Sequence, residues 1–194
     1  MDSLRYAPII VTVLMTSSMF GWAANDPPQA SIDFIKKSCN SSLIPEICQQ
    51  ILLPYAGTVR MSAKSLVNVA LKLSSNSSES AIKAMKKVIH GNQLEGLRLQ
   101  ASKDCIELLD DARYNLRRSI SRIHNYNNSD FNLLIGDVRT WVSAALTDDN
   151  TCTDGFSDVT LSGNLKIVVE QNIVYNAKLI SISLGLINVY ASAA

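Results

Sequence analysis

Between residues 97 and 124 apolar side chains return every three or four positions: Ala101, Cys105, Leu108, Ala112, Leu116, Ile120 and Ile123. That spacing lines one face of an α-helix and leaves Glu107, Asp110, Asp111, Arg117 and Arg118 for the opposite face. At about 1.5 Å per residue such a helix is about 40 Å long, and a dry stripe of that length needs other long helices to cover it. The rest of the chain offers them. Residues 131–147 repeat the pattern through Val138, Trp141, Val142, Ala145 and Leu146. Residues 164–190 carry two stripes, one through Val168, Tyr175, Leu179, Ile182, Leu186 and Val189, the other through Ile173, Ala177, Ile180, Leu184 and Ile187, as expected of a helix covered on two sides. Residues 58–90 are helical on both flanks, but SSNSSES in the middle is a poor helix former, and Asn76 with Glu79 resembles a new N-cap; one kinked helix and two helices both remain open. Two shorter helices, 31–39 and 45–53, precede these, the second with Pro45 in its first turn. Strand signals are almost absent. The expected fold is all-α: an antiparallel four-helix bundle over 58–190 with an N-terminal helical hairpin over 31–54, in one domain.

Four cysteines, Cys39, Cys48, Cys105 and Cys152, constrain how these helices meet. Their meaning depends on compartment, and the N-terminus reads as an export signal: Arg5, then an apolar stretch over 8–20, then Gly21 and Ala23 in a small-x-small arrangement that places cleavage after Ala23 or Ala24. The apolar stretch is too short for a membrane span. An even cysteine count in an exported chain favours two disulfides, for which sequence permits three connectivities. The close pair Cys39 and Cys48 is the natural first bridge, which leaves Cys105 for Cys152. No CxxC is present, and the spacings do not suit zinc. Sequons at Asn40, Asn76 and Asn127 are glycan acceptors in a secreted chain.

The formal net charge is +1, with no basic block, so nucleic acid is not an expected partner, and no later run is long and apolar enough to predict a membrane span. The nucleophile elbow, the HExxH zinc motif, the glycine-rich phosphate loop and the dinucleotide fingerprint are all missing. His90 and His124 stand beside predicted helix ends, where a cation suits the dipole. The strongest catalytic reading takes Asp148, Asp149 and Asp154 as the carboxylates of a glycosidase, but a compact bundle offers no ready cleft. Two other readings of "TWVSAALTDDNTCTDGF", residues 140–156, are evenly matched on physical grounds. It is a solvated turn delivering Cys152 to Cys105, or a rigid polar patch in which that bridge holds Thr151 and Asp154 near Glu107 and Asp111.

Three landmarks in order bear a resemblance that covers nearly the whole mature chain. "CNSSLIPEIC" resembles the Cys-x-x-Thr-x-Tyr-Pro-x-x-Cys hairpin of the plant invertase and pectin methylesterase inhibitor family, with Ser42 for Thr, Ile44 for Tyr and Pro45 kept. "ASKDCIELLDDARYNL" is similar to the family's Asp-Cys-x-Glu-Leu stretch and Asp-Ala, and residues 140–156 to its Ser-Ala-Ala-Leu-Thr, Asp-x-Thr-Cys and Asp-Gly-Phe run. The resemblance implies a helical hairpin on a four-helix bundle, first cysteine bonded to second and third to fourth, and residues 58–90 as one long helix. It implies a protein without catalytic residues, metal or cofactor that binds a carbohydrate-active enzyme one to one and blocks its cleft, as a monomer or a dimer swapped through the hairpin.

Invertase-directed members carry Pro-Lys-Phe before the third bundle helix, where this chain has Asp130-Phe131-Asn132. "DVRTWVSAALT" is more similar to members directed at pectin methylesterase. By aligned position the implied partner contacts are Glu107 and Asp111 with Thr151 and Asp154; Tyr114 stands where the family has a further acidic residue. The expected function is therefore inhibition of pectin methylesterase in the cell wall. The alternatives are inhibition of acid invertase on the same scaffold and a secreted helical ligand for a membrane receptor.

Overall fold

The computed structural model describes residues 29–91, 94–127 and 130–192. The export signal expected over 1–23 lies outside them. Every regular element among the described residues is helical.

Helix α1 (Gln29–Cys39) and helix α2 (Pro45–Leu52) form the hairpin. Between them the Ser42 hydroxyl accepts a hydrogen bond from Ile44 N–H at 3.3 Å, which turns the chain into Pro45 at the start of α2. Cys39 is bonded to Cys48, with Cα atoms 5.6 Å apart, the pairing that spacing suggested. A 3-10 turn (Leu53–Tyr55) and the short α3 (Ala56–Val59) follow. The chain leaves α3 through two successive non-glycine residues in left-handed backbone, Arg60 at φ 48° and Met61 at φ 59°. Each conformation costs roughly 1–2 kcal/mol, so the corner persists because the elements on both sides hold it.

Helix α4 (Ala63–Gly91) is one unbroken helix of 29 residues, its first turn capped by Ser65 N–H donating to the Ser62 hydroxyl at 3.2 Å. The serine-rich middle does not break it, for two reasons. The hydroxyls of Ser74, Ser78 and Ser80 donate back to the carbonyls of Ala70, Ser74 and Asn76, so they do not compete for the backbone elsewhere. Ser74, Ser75 and Ser78 also face inward and are buried. Glu79 does not cap a new helix; it is ion-paired with Lys83 at 2.8 Å and with Arg117 of α5 at 3.2 Å.

Helix α5 (Gly96–His124) presents Ser102, Cys105, Leu109, Ala112, Leu116, Ser119 and Ile123 to the core. The buried stripe is thus rotated slightly from the apolar one: Ala101, Leu108 and Ile120 are only half-buried at its margin. Helix α6 (Phe131–Asp154) starts at an N-cap, Leu133 N–H donating to Asp130 Oδ1 at 3.0 Å, and runs a full turn and more past residue 147. The hydrophilic stretch stays helical because its inward positions continue the stripe: Val138, Val142, Ala145, Asp149 and Cys152 are all buried. Trp141, expected inside, is half-buried at the surface.

Helix α7 (Gly163–Ile167) passes through a π-helical segment (Val168–Ile173) into helix α8 (Val174–Ser192). Asn176 is buried, whereas Tyr175 is 42% exposed although it shares a face with the buried Leu179, Ile182 and Leu186; it lines a shallow groove with Ile47, Ile51, Tyr55 and Leu73. By length and composition the stretch Gly163–Ser192 could cross a membrane. Its apolarity is instead used against protein: Ile173, Ile180, Ile182, Leu186 and Ile187 are buried.

The helices pack in a ring, α4 on α5, α5 on α6, α6 on α8 and α8 on α4, with α1 resting on α8. Cys105 of α5 is bonded to Cys152 of α6, Cα atoms 4.4 Å apart. In the chain-entropy model the two bridges contribute about 2.7 and about 4 kcal/mol, the longer loop more. The core divides into two apolar clusters. One runs from the hairpin through Leu71, Leu116, Val142 and Ile180; the other surrounds the α5–α6 bridge with Met85, Leu109, Phe156 and Ile173. A polar layer from α4, α6 and α8 lies between them.

Candidate functional site

The polar layer is a hydrogen-bonded chain. Ser183 and Ser74 hydroxyls meet at 3.0 Å, and the Asn176 amide donates to the Ser78 hydroxyl at 3.0 Å and to Asp149 Oδ1 at 2.6 Å. Asp149 is fully buried and its Oδ2 has no partner. Burial pushes its carboxyl up to about 7, against the opposing pull of the Asn176 amide and the Ala177 backbone. The layer is closed to solvent, so Asp149 belongs to the architecture and not to a paired-carboxylate active site with Asp148 and Asp154.

The solvent-facing site lies along the seam between α5 and α6. Residues 107, 111, 114 and 118 of α5 follow one another at helical spacing, and α6 runs antiparallel beside them. The bridge lies at one end. Beyond it Asp111 neighbours Asp148, Arg118 meets Trp141 and Arg122 meets Asp137, three pairs that keep one antiparallel offset, two residues away from the offset of Cys105 and Cys152. At the far end Arg122 Nε donates to Asp137 Oδ2 at 3.0 Å. In the middle the Arg118 guanidinium lies 3.7 Å from the Trp141 ring centroid and 5.8 Å from that of Tyr114, which is 64% exposed. Nearer the bridge, Asp148 has its carboxyl held above the usual range by partial burial and by the neighbouring charge of Asp111, with a hydrogen bond to Asn115 opposing.

Of the residues implied by resemblance, Asp111 and Tyr114 lie on this seam. Glu107, one turn before Asp111, is exposed and borders a groove between α4 and α5 with Lys83, Lys86, Asp110 and Arg113. Thr151 lines a separate shallow groove of ≈ 250 Å³ over the Cys105–Cys152 bridge, with Gln100, Asp104 and Leu108. Asp154 is exposed at the last position of α6 and is not among that groove's lining residues. Asp148, Asn115, Arg118 and Trp141 were not singled out as partner contacts by sequence. What locates them is the antiparallel packing of α5 on α6, seen in the contacts themselves and offset by two residues from a count starting at the disulfide. Among the described residues no group of three or more His, Cys, Asp or Glu side chains is arranged to hold a metal ion. Asn40, Asn76 and Asn127 are all exposed.

A helical hairpin stapled to a four-helix bundle, with a second bridge clamping an acidic seam, defines a class. Residues 33–186 match the family model described as plant invertase/pectin methylesterase inhibitor, and the chain belongs to that family, several of whose relatives are named pectinesterase inhibitors. It is 42% identical over 167 residues to "Pectinesterase inhibitor 10" of Arabidopsis thaliana, covering 84% of this chain and 53% of that protein, so the chain spans about half the relative's length. It is 34% identical over 162 residues to the "21 kDa protein" of Daucus carota, covering 82% of this chain and 84% of that one. Among solved structures, a mutant form of a pectin methylesterase inhibitor from Arabidopsis shares the fold with a TM-score of 0.66 at 19% identity, covering 79% of this chain and 95% of the other.

Proposed function

We propose that this chain is a secreted inhibitor of pectin methylesterase that seats the α5–α6 face in the enzyme's pectin-binding cleft and blocks it by occlusion, in a one-to-one complex. The observation that carries the reading is membership of the inhibitor family together with relatives named as pectinesterase inhibitors. The seam supports it physically. Two disulfides and four packed helices hold its side chains in place before binding, so little ordering entropy is lost on docking. Glu107, Asp111, Tyr114, Thr151 and Asp154 are the proposed contacts, with Asp148 joining Asp111 on the seam. Residues 1–23 serve as the export signal and 24–194 as the inhibitor domain, placed in the cell wall, where Asn40, Asn76 and Asn127 are candidate glycan sites.

The test is methanol release from pectin by a plant pectin methylesterase titrated with the mature protein, with sucrose hydrolysis by acid invertase measured in parallel. Loss of esterase activity near stoichiometric inhibitor is the expected result. Loss of invertase activity alone would move the protein to the other branch of its family, and inertness toward both would remove the inhibitor reading.

A further inference from the structure

Four arginines follow one another in the second half of α5, and three are engaged by carboxylates: Arg113 by Asp110, Arg117 by Glu79 and Arg122 by Asp137. Arg118 differs. Among the described residues no carboxylate pairs with it; an aromatic ring from each helix holds it instead, Trp141 at 3.7 Å and Tyr114 at 5.8 Å. A guanidinium stacked on an aromatic face is fixed in orientation while its N–H groups, which lie in its own plane, stay free to donate. It is therefore a bidentate donor oriented before any partner arrives. Arg118 is exposed, as is Tyr114, and both share the α5 stripe with Glu107 and Asp111.

We propose that Arg118, braced by Tyr114 and Trp141, is the specificity-determining anchor of the inhibitor face, and that it takes a carboxylate on the surface of the bound esterase. The inference rests on the proposed function and deepens it. Its chemistry follows from the seam's two halves. Toward the bridge the face carries Asp111 and Asp148 and suits cationic groups of a partner; one to two turns on, it carries a free planar cation and suits an anion. A face with opposite signs at its two ends accepts a partner in one orientation and rejects the reversed one by like-charge contact. Trp, Tyr and Arg are also the residue types that most often dominate interface energetics: the rings bury large area with little loss of side-chain freedom, and here the stack orders the arginine in advance. Tyr114, which stands where the family resemblance implies a carboxylate, here braces a cation.

The experiment compares full-chain variants in the methanol-release titration, with thermal unfolding of each as a folding control. Arg118→Ala is expected to raise the inhibition constant by about thirtyfold, the size of a hot-spot truncation. Arg118→Lys keeps the charge but loses the planar fork and the stack, and is expected to behave like Arg118→Ala. Arg118→Glu is expected to be weaker still, and Tyr114→Ala, which removes one of the two bracing rings, to weaken inhibition as well. All should melt with the wild type, because the side chains lie on the surface. Wild-type inhibition with Arg118→Ala unchanged within about twofold would overturn the anchor while leaving the proposed function standing. Full rescue by Arg118→Lys would overturn the bidentate carboxylate assignment. An inert wild type would overturn both readings.

Discussion

Asp148 and Asp149 are neighbours in sequence and belong to different parts of the molecule. Asp148 lies on the α5–α6 seam, beside Asp111 and Asn115, with access to water. Asp149, turned about 100° around the same helix, is sealed in the layer between the two halves of the core and held by Asn176. One carboxylate is part of the solvent-facing seam; the other sets how the helices pack. Chemistry identical at the level of residue type is divided by helical phase alone.

The comparison is broken most directly by changing the layer. Removing the Asn176 amide leaves a buried carboxyl with no side-chain donor, so Asn176→Ala is expected to lose about 3 kcal/mol or more in urea unfolding at neutral pH. A surface change such as Asp148→Ala is expected to move the same transition by no more than about 0.5 kcal/mol.

The pH profile distinguishes the two regions next. Asp149 has a folded value of about 7, above the ordinary unfolded value of about 3.9. The folded state therefore retains a proton that the unfolded chain has lost. Its contribution is present in full below about pH 4 and disappears as pH rises through 7, a change on the order of 4 kcal/mol. Asp149→Asn should flatten this slope in denaturant melts taken between pH 4 and 8, because an amide resembles the neutral acid and keeps an oxygen for Asn176. A slope that survives in Asp149→Asn would place its origin elsewhere.

The bridge that joins the two regions ranks with these. Cys105→Ser with Cys152→Ser is expected to cost 2–5 kcal/mol, and because the bridge ties α5 to α6 at one end of the seam, to weaken inhibition as well. Replacing Cys39 and Cys48 should lower stability by a smaller amount, since the loop is shorter, and leave inhibition in the esterase titration intact.

Glu107→Lys with Asp111→Lys tests the surface alone: inhibition should disappear while the melting temperature stays within about 2 °C of wild type. A double variant of full potency would remove those two residues from the docking face. The smallest effect is expected at the seam's far end, where the half-exposed Arg122–Asp137 pair is worth under about 1 kcal/mol by double-mutant cycle.

Much of the fold was legible in the sequence because long helices announce themselves locally. The stripe of α5, the cap at Asp130 and the Pro45 entry to α2 depend on side chains within a few turns of each other. Where local reading faltered, a distant partner was responsible. SSNSSES is a poor helix as a peptide, yet Ser74 and Ser78 meet Ser183 and Asn176 about a hundred residues away. Residues 148–154 read as a polar loop because a buried Asp149 makes no sense until Asn176 is opposite it. Tyr175 read as core because it shares the stripe of Leu179, Ile182 and Leu186, and only the packing shows that it lines an open groove beside Ile47, Ile51, Tyr55 and Leu73. On the surface, Glu107, Asp111 and Tyr114 were reachable from helical spacing and family resemblance, whereas Arg118 and Trp141 become a unit only when two helices lie antiparallel in one register.

By itself the sequence determined the helical class, the hairpin, the pairing of cysteines that spacing favours, and the family to which those landmarks are similar. These are properties of short segments, where propensity, caps and a 3.6-residue period act between near neighbours. Only the tertiary structure decided which of two adjacent aspartates is buried, that α6 runs unbroken through its hydrophilic stretch, and that an arginine is clasped by rings from two helices. Each of those outcomes depends on desolvation, and desolvation is set by what packs against a residue, not by what precedes it in the chain.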